Sequence, residues 1–473
     1  METNKAIKVI QFGEGNFLRA FVDWMIQKMN DQNIFNGQVA IVQPLENGLI
    51  NLLEAQNLTY THYLKGMKDG VAVKEHYKNT TVGMTNNPYE DYAGFLALAH
   101  IETANIIVSN TTEAGIDFSA DDKFEDEARV TYPGKLTKLL LERYNLVSGD
   151  KDKGYIILPC ELIDDNAVHL KAAILKYVEL WDLGEGFGTW VNEANTFCNT
   201  LVDRIVPGYP RDTIEEIWEE LGYKDQLVVE SEQFNLWVIE GDAKVQKAFP
   251  ADEVGCNAIF VKDVKPYKMR KVRILNGAHT ALVPVSYLYG LETVGESIED
   301  PLMSKFLIGA LFEEIIPTLT LSQEELETFA AEVIERFRNP FIKHRLMSIS
   351  LNSMSKYETR VLPSLLAYLD KTKSLPKRLV LSLASYIVFY RGSYNGKTID
   401  VNDSPDITDL YRDLWSGYDG GRESIETLVT GVLSYDVVWK GDLSLIPGLT
   451  KMVSDYVERI LSEGMKPIIE EVI

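Results

Sequence analysis

Ala6-Ile7-Lys8-Val9-Ile10-Gln11-Phe12-Gly13-Glu14-Gly15-Asn16-Phe17-Leu18-Arg19-Ala20 decides the fold of the first half of the chain. The opening seven residues are β-rich and read as a short strand. Two glycines follow, and then Phe21, Trp24, Met25 and Met29 recur at helical spacing. The order is strand, glycine turn, helix. Gly13 suits a tight turn, and Gly15 lets a pyrophosphate approach the backbone. Leu18 stands where a third glycine is usual, so Ala20 must serve for close helix packing. A lone GxG is also an ordinary turn. Its place between a strand and a helix makes Phe12, Gly13, Glu14, Gly15, Asn16 and Phe17 the candidate cofactor loop.

Further strands follow in order. Gln38–Gln43 reads as the second. In folds that prefer NAD an acid usually ends this strand and binds the ribose 2′-hydroxyl. Here Gln43-Pro44 stands there, and no arginine follows to take a 2′-phosphate. Gln43 is the candidate ribose ligand, and NAD is favoured over NADP. Tyr60–Val82 reads as a strand-rich insertion. Ile106–Val108 is a buried strand opening into Ser109-Asn110-Thr111-Thr112-Glu113-Ala114-Gly115. Small polar residues beyond a parallel strand fit a ligand crevice, so Asn110, Thr111 and Thr112 are expected against the cofactor. An ordinary turn is the alternative. Lys135–Tyr144 reads as a helix, Tyr155–Cys160 as the next strand, and Phe234–Glu240 and Ala258–Val261 as later ones.

Lys271-Val272-Arg273-Ile274-Leu275-Asn276-Gly277-Ala278-His279 then reads as the buried start of a long helix. At about 100° per residue, Asn276 lies about 140° round the axis from Lys271 and His279 about 80° from it. The three side chains therefore share one broad face. Burial beside other cations lowers a lysine's pKa toward neutrality, which suits proton transfer. An asparagine amide can donate to an oxygen that gains negative charge. A histidine can hold a hydroxyl or pass a proton. A solvated lysine, a capping asparagine and a core histidine are the plainer alternative.

Beyond Pro266 strand-like runs nearly vanish. Helical periodicity covers Leu302–Ile316, Gln323–Arg338, Tyr357–Leu369, Pro376–Tyr390, Ile425–Ser434 and Lys451–Ser462. Two domains are therefore expected. Residues 1–265 form an α/β dinucleotide-binding (Rossmann-like) domain, and residues 266–473 a mostly α-helical C-terminal domain.

Lys-x-x-x-x-Asn-x-x-His resembles the signature of the long-chain mannitol dehydrogenase family. The run from Pro266 to Thr280 is similar to its uronate branch. Gly-x-Gly-x-Phe-x-Arg-Ala at the N-terminus and Asn199-Thr200-Leu201-Val202-Asp203-Arg204-Ile205-Val206-Pro207 are further resemblances, and the motifs come in family order. The resemblance implies that Lys271 is the general acid/base, that Asn276 polarises the reacting carbonyl and that no metal is used. It implies that His279 orients a hydroxyl, that Asp203 lies near the lysine and that Arg204 braces the fold. Polyol members carry Cys-Asp-Asn-Leu where this chain has Cys160-Glu161-Leu162. Their second oxyanion donor is thus absent at the matching position, so either Asn166 substitutes or Asn276 works with other donors. Arg336–Leu346 and Ser355–Arg360 hold the densest basic groups and resemble the segment that closes over the substrate. His344, Lys356 and Arg360 are favoured to meet a carboxylate; a basic helix surface is the alternative. Lys268, one turn before Lys271, adds a second cation. The activity implied is NAD-dependent reduction of D-tagaturonate to D-altronate. Fructuronate or a polyol is the alternative substrate, and a non-catalytic NAD(H)-sensing scaffold the alternative of another class.

Composition agrees with a globular enzyme. The 473 residues exceed one core of usual size, and the apolar and charged shares are 45% and 25%. A net charge of −23 argues against nucleic acid and anionic membranes as partners. An anionic small-molecule substrate would need local cations. Cys160, Cys198 and Cys256 show no CxxC spacing, and the six histidines form no HExxH pair, so no disulfide framework or metal site is expected. Met1–Lys5 leads straight into a strand without a signal-peptide core, and no apolar run reaches membrane-spanning length. A cytoplasmic location is expected.

Overall fold

The computed structural model describes residues 5–68, 70–111 and 113–473. It divides into two units. One holds the chain through Lys68 and Val73–Val264, and the other holds Lys265–Ile473 with residues 70–72.

The first unit is built on a parallel sheet. Its strands are β1 (Ala6–Phe12), β2 (Gly37–Val42), β5 (Val82–Asn86), β6 (Ile106–Ser109), β7 (Ile156–Pro159) and β8 (Thr196–Phe197), in the order β5-β2-β1-β6-β7-β8. The order reverses between β1 and β6, which is where open α/β sheets bind ligands, beyond the carboxyl ends of the strands. Side-chain alternation covers both faces. Val9, Val39, Ile41, Val108 and Leu158 join Phe21, Trp24 and Met25 in one core. Ile10, Phe12, Val42, Ile107 and Ile157 join Leu136, Leu139, Leu170 and Trp190 in the other. The insertion forms a second small sheet from β3 (Tyr60–Lys68), β4 (Val71–Asn79) and β10 (Val229–Ser231), ordered β10-β3-β4. A third joins β9 (Thr200–Asp203), β11 (Leu236–Glu240) and β12 (Ala258–Val261), ordered β12-β11-β9.

The second unit is mainly helical. Helix Lys265–Arg270 runs into a π turn, Lys271–Asn276, and on into helix Gly277–Tyr289. Pro284 lies inside this last helix and has no N–H to give the Thr280 carbonyl. The hydroxyl of Tyr386 donates to that carbonyl instead, at 2.9 Å, and ties helix Lys377–Phe389 to it. A second π turn, Ala310–Ile315, follows helix Pro301–Gly309. It carries buried Glu314, whose carboxylate accepts from Arg378 N and Leu379 N at 3.0 and 2.9 Å. That fixes the otherwise unpaired N-terminus of helix Lys377–Phe389. The single helix expected over Tyr357–Leu369 is two, Ser353–Arg360 and Leu362–Thr372. Pro363 is the cause, because it cannot continue a helix that began upstream and sits in the first turn of the next.

Candidate active site

At the reversal point of the first unit, Gly13 has φ +126°, a conformation that favours glycine. Its N–H bonds Val42 O at 3.0 Å, and a Cβ there would lie 3.3 Å from Asn110 O. Gly15 differs: it precedes helix Asn16–Ala20, and a Cβ there would meet nothing within 4 Å. The space above its backbone is open, as a diphosphate requires. The loop is braced from below by the buried Arg19 guanidinium. Nε donates to Glu14 O at 3.0 Å, Nη1 to Leu227 O and Nη2 to Asn16 Oδ1 at 2.8 Å. Phe17 stacks on Phe21 with ring centroids 4.9 Å apart. Phe12 is a core ring against Phe95 and Tyr132, so only its main chain is at the loop.

The neighbouring loop after β6 is held by an acid that the sequence did not single out. Glu161 is 2% exposed. Its Oε1 accepts from Thr111 N and Thr111 Oγ1, both at 3.0 Å, and its Oε2 from Ser109 Oγ at 3.1 Å. Burial pushes this carboxyl's pKa up, and the bonds from Ser109 and Thr111 pull against it. Asn110 donates Nδ2 to Cys160 O at 3.1 Å. Thr112 lies outside the described residues. The available signal for Glu161 was its place directly beyond a buried strand, at the point of departure from the polyol pattern.

Two expected ligands have their amides occupied. Gln43 is buried, and its Nε2 donates to Leu45 O and Glu46 O at 2.9 and 3.1 Å, so it closes the turn after β2. Asn166 is 1% exposed. Its Nδ2 donates to the carbonyls of Pro159, Glu161 and Thr200, and its Oδ1 accepts from Thr200 N at 3.0 Å. It braces the main chain and leaves no donor for an oxyanion. Asp203 is buried at the end of β9, opposite Leu236. Arg204 is buried over Trp24, 4.1 Å from the ring centroid, and donates Nη1 to Ala20 O at 2.8 Å.

In the second unit, Lys271 and Asn276 are the first and last residues of the π turn. The expected 140° separation assumed α spacing. A π turn closes i→i+5 bonds, here Gly277 N to Val272 O. Residues five apart therefore stand one above the other as residues four apart do in an α-helix, and the two side chains are brought together. Both are half-buried. Among the described residues, the Asn276 side chain makes no hydrogen bond, and the Asn276 main-chain carbonyl accepts from Thr280 Oγ1 at 2.9 Å. The His279 ring stacks on Phe337 at 4.2 Å and meets the His344 ring edge-on at 5.0 Å. Burial drives the His279 pKa well below its usual value, and His344, Arg336 and Arg360 push the same way. His279 is thus a neutral ring among cations. Burial also lowers the pKa of His344, Lys356 and Arg360. Lys356 donates Nζ to Ile349 O at 2.9 Å. No hydrogen bond from the Arg360 guanidinium forms among the described residues.

Comparison with known proteins gives the family. Residues 7–252 match the mannitol dehydrogenase Rossmann domain and residues 263–461 the mannitol dehydrogenase C-terminal domain. The chain belongs to the mannitol dehydrogenase family and is an oxidoreductase of CH–OH groups. It is 46% identical over 464 residues to an altronate oxidoreductase of Klebsiella pneumoniae (strain 342), covering 98% of this chain and 96% of that protein. It is also 46% identical to the altronate oxidoreductase of Escherichia coli O1:K1, covering 97% and 95%. Among solved structures, substrate-free D-sorbitol dehydrogenase superposes with a TM-score of 0.81 at 21% identity, covering 98% of this chain and 95% of that one. The Pseudomonas fluorescens mannitol 2-dehydrogenase complex with NAD and D-mannitol does so with 0.66 at 19%, covering 99% and 94%. These two establish the shared fold. Among the described residues no helix is long and apolar enough to cross a membrane.

Proposed function

We propose that this chain is an NAD-dependent oxidoreductase that interconverts D-tagaturonate and D-altronate. The observation that carries the substrate class is the cation cluster. In a chain of net charge −23, the Arg336 and Arg360 guanidinium groups act on His279 beside the His344 ring, and Lys356 lies by Arg360, close to the helix that carries Lys271 and Asn276. Such a cluster suits a sugar carboxylate and is wasted on a neutral polyol. The relatives named altronate oxidoreductase support the same substrate.

The dinucleotide would be held by the Gly13–Phe17 backbone, with the Asn110–Thr111 loop beside it, and it supplies the hydride. The chain's own groups do the rest. Lys271 gives a proton to the carbonyl oxygen as it becomes a hydroxyl, and takes it back in the oxidative direction. The Asn276 amide donates to that oxygen. Neutral His279 holds an adjacent hydroxyl. Arg360, with Lys356 and Arg336, pairs with the carboxylate and fixes which end of the substrate faces the lysine. Three buried, free thiols fit a reducing compartment such as the cytoplasm.

Lys271→Ala tests the division of labour. Turnover should fall by about 10²–10⁴ while NADH still binds. Loss of NADH binding, or undiminished turnover, would remove Lys271 from the proposed role.

A further inference from the structure

The end of β2 lacks the acid that NAD-preferring folds place there: the strand stops at Val42, and Gln43-Pro44 follow. The structure brings a carboxylate to this place from another part of the chain. Glu14, between the two loop glycines, turns toward the Gln43–Leu49 turn, where its Oε1 accepts from Leu49 N at 3.3 Å. A Cβ on Gly48 would lie 2.2 Å from that oxygen and 2.4 Å from Gln43 Oε1. A side chain at residue 48 would have to displace the ends of both side chains. Glu14 is 8% exposed, and its Oε2 is buried without a hydrogen-bond partner among the described residues.

An unpaired, buried carboxylate oxygen costs stability. The turn itself does not require it, since a glutamine could accept the same bond from Leu49. We infer that Glu14 is the residue that selects NAD over NADP: its carboxylate, delivered from the glycine loop, replaces the acid of β2 and opposes a 2′-phosphate. This rests on the dinucleotide reading above. Burial pushes the Glu14 pKa up, and backbone hydrogen bonds and the Arg19 guanidinium pull against it. Little water separates this charge from its surroundings, so its field is poorly screened. Glu46, also in the turn, is exposed and screened by salt, which makes it the natural comparison.

The test is equilibrium titration of NADH and NADPH by tryptophan fluorescence, on the full chain and its Glu14→Gln and Glu46→Gln variants. The parent should bind NADH more tightly than NADPH. Glu14→Gln should cut that preference by about tenfold or more, chiefly by tightening NADPH, and Glu46→Gln should change it less than about twofold. Glu14→Ser provides a second charge-free side chain should the glutamine variant fold poorly, and Glu14→Asp, which keeps the charge, should keep the preference. An unchanged ratio in the charge-free variants, or a ratio that moves only in Glu46→Gln, overturns the proposal and leaves the dinucleotide reading standing. A parent that binds neither dinucleotide overturns both.

Discussion

A Cβ placed on Gly277 would lie 3.1 Å from the main-chain oxygen of Arg360. Helix Gly277–Tyr289 and helix Ser353–Arg360 thus meet backbone to backbone, one residue after Asn276 and at Arg360 itself. The contact fixes the spacing between the proposed proton-transfer turn and the proposed carboxylate site. Gly277→Ala should force the helices apart at a cost of about 1–3 kcal/mol. The expected signature is a raised KM for the sugar acid with NADH binding unchanged, measured by initial rates and by titration. A normal KM would mean that the contact is tolerant and sets nothing.

Arg360 itself should act on binding more than on chemistry. Losing one charge-assisted pair to a carboxylate costs about 1.5–3 kcal/mol, so Arg360→Leu should raise KM for a hexuronate by about 10–100-fold. Turnover at saturation should change far less. A variant with parental KM would show that the guanidinium belongs to a helix surface.

Glu161 receives three hydrogen bonds, from Ser109 Oγ, Thr111 N and Thr111 Oγ1. Removing the carboxylate leaves all three donors unmatched, whereas an amide could keep both Thr111 bonds and donate to the Ser109 hydroxyl. Glu161→Ala should therefore loosen the Ser109–Thr111 loop and weaken NADH binding by about tenfold or more, and Glu161→Gln by less. Titration of NADH checks it. Parental affinity would reduce Glu161 to a support for the sheet edge.

Asp23 lies fully buried below the glycine loop, where its Oδ2 accepts from Tyr60 Oη at 3.0 Å. Burial pushes its pKa from 3.8 up to about 7, against the pull of the Tyr60 bond and the Arg19 charge. A raised carboxyl holds its proton more tightly folded than unfolded. Its contribution to stability is therefore full below the unfolded pKa and is lost as pH rises through the folded one. Asp23→Asn should lose less Tm than the parent between about pH 4 and 7. Equal losses in thermal scans would show that Asp23 does not titrate there.

What the sequence made legible follows from periodicity. Alternation in β1, followed by Gly13 and Gly15 and then by apolar residues at helical spacing, marked the strand–turn–helix. The loss of strand patterns after Pro266 marked the helical unit. Local exceptions to periodicity were not legible. The i,i+5 spacing of Lys271 and Asn276 reads as a broad face on an α-helix, and only the backbone shows it to be a π turn that stacks them. Gln43 and Asn166 stand where ligands are expected, yet main-chain groups claim their amides, and sequence carries no sign of that competition. Pro363 did announce its helix break, and the apolar pattern running through it hid the signal. Glu14 and Glu161 gain their importance from partners 35 and 50 residues away, Leu49 and Thr111.

The most direct test of the central claim is the initial rate of NADH oxidation with tagaturonate, fructuronate and fructose side by side, with NADPH in parallel. The account predicts a kcat/KM for tagaturonate at least about 100-fold above that for fructose, since a site built around charged contacts rejects a substrate lacking its partner. Fructose turned over as well as tagaturonate would contradict it, and would make the basic cluster of Arg336, His344, Lys356 and Arg360 an ordinary surface.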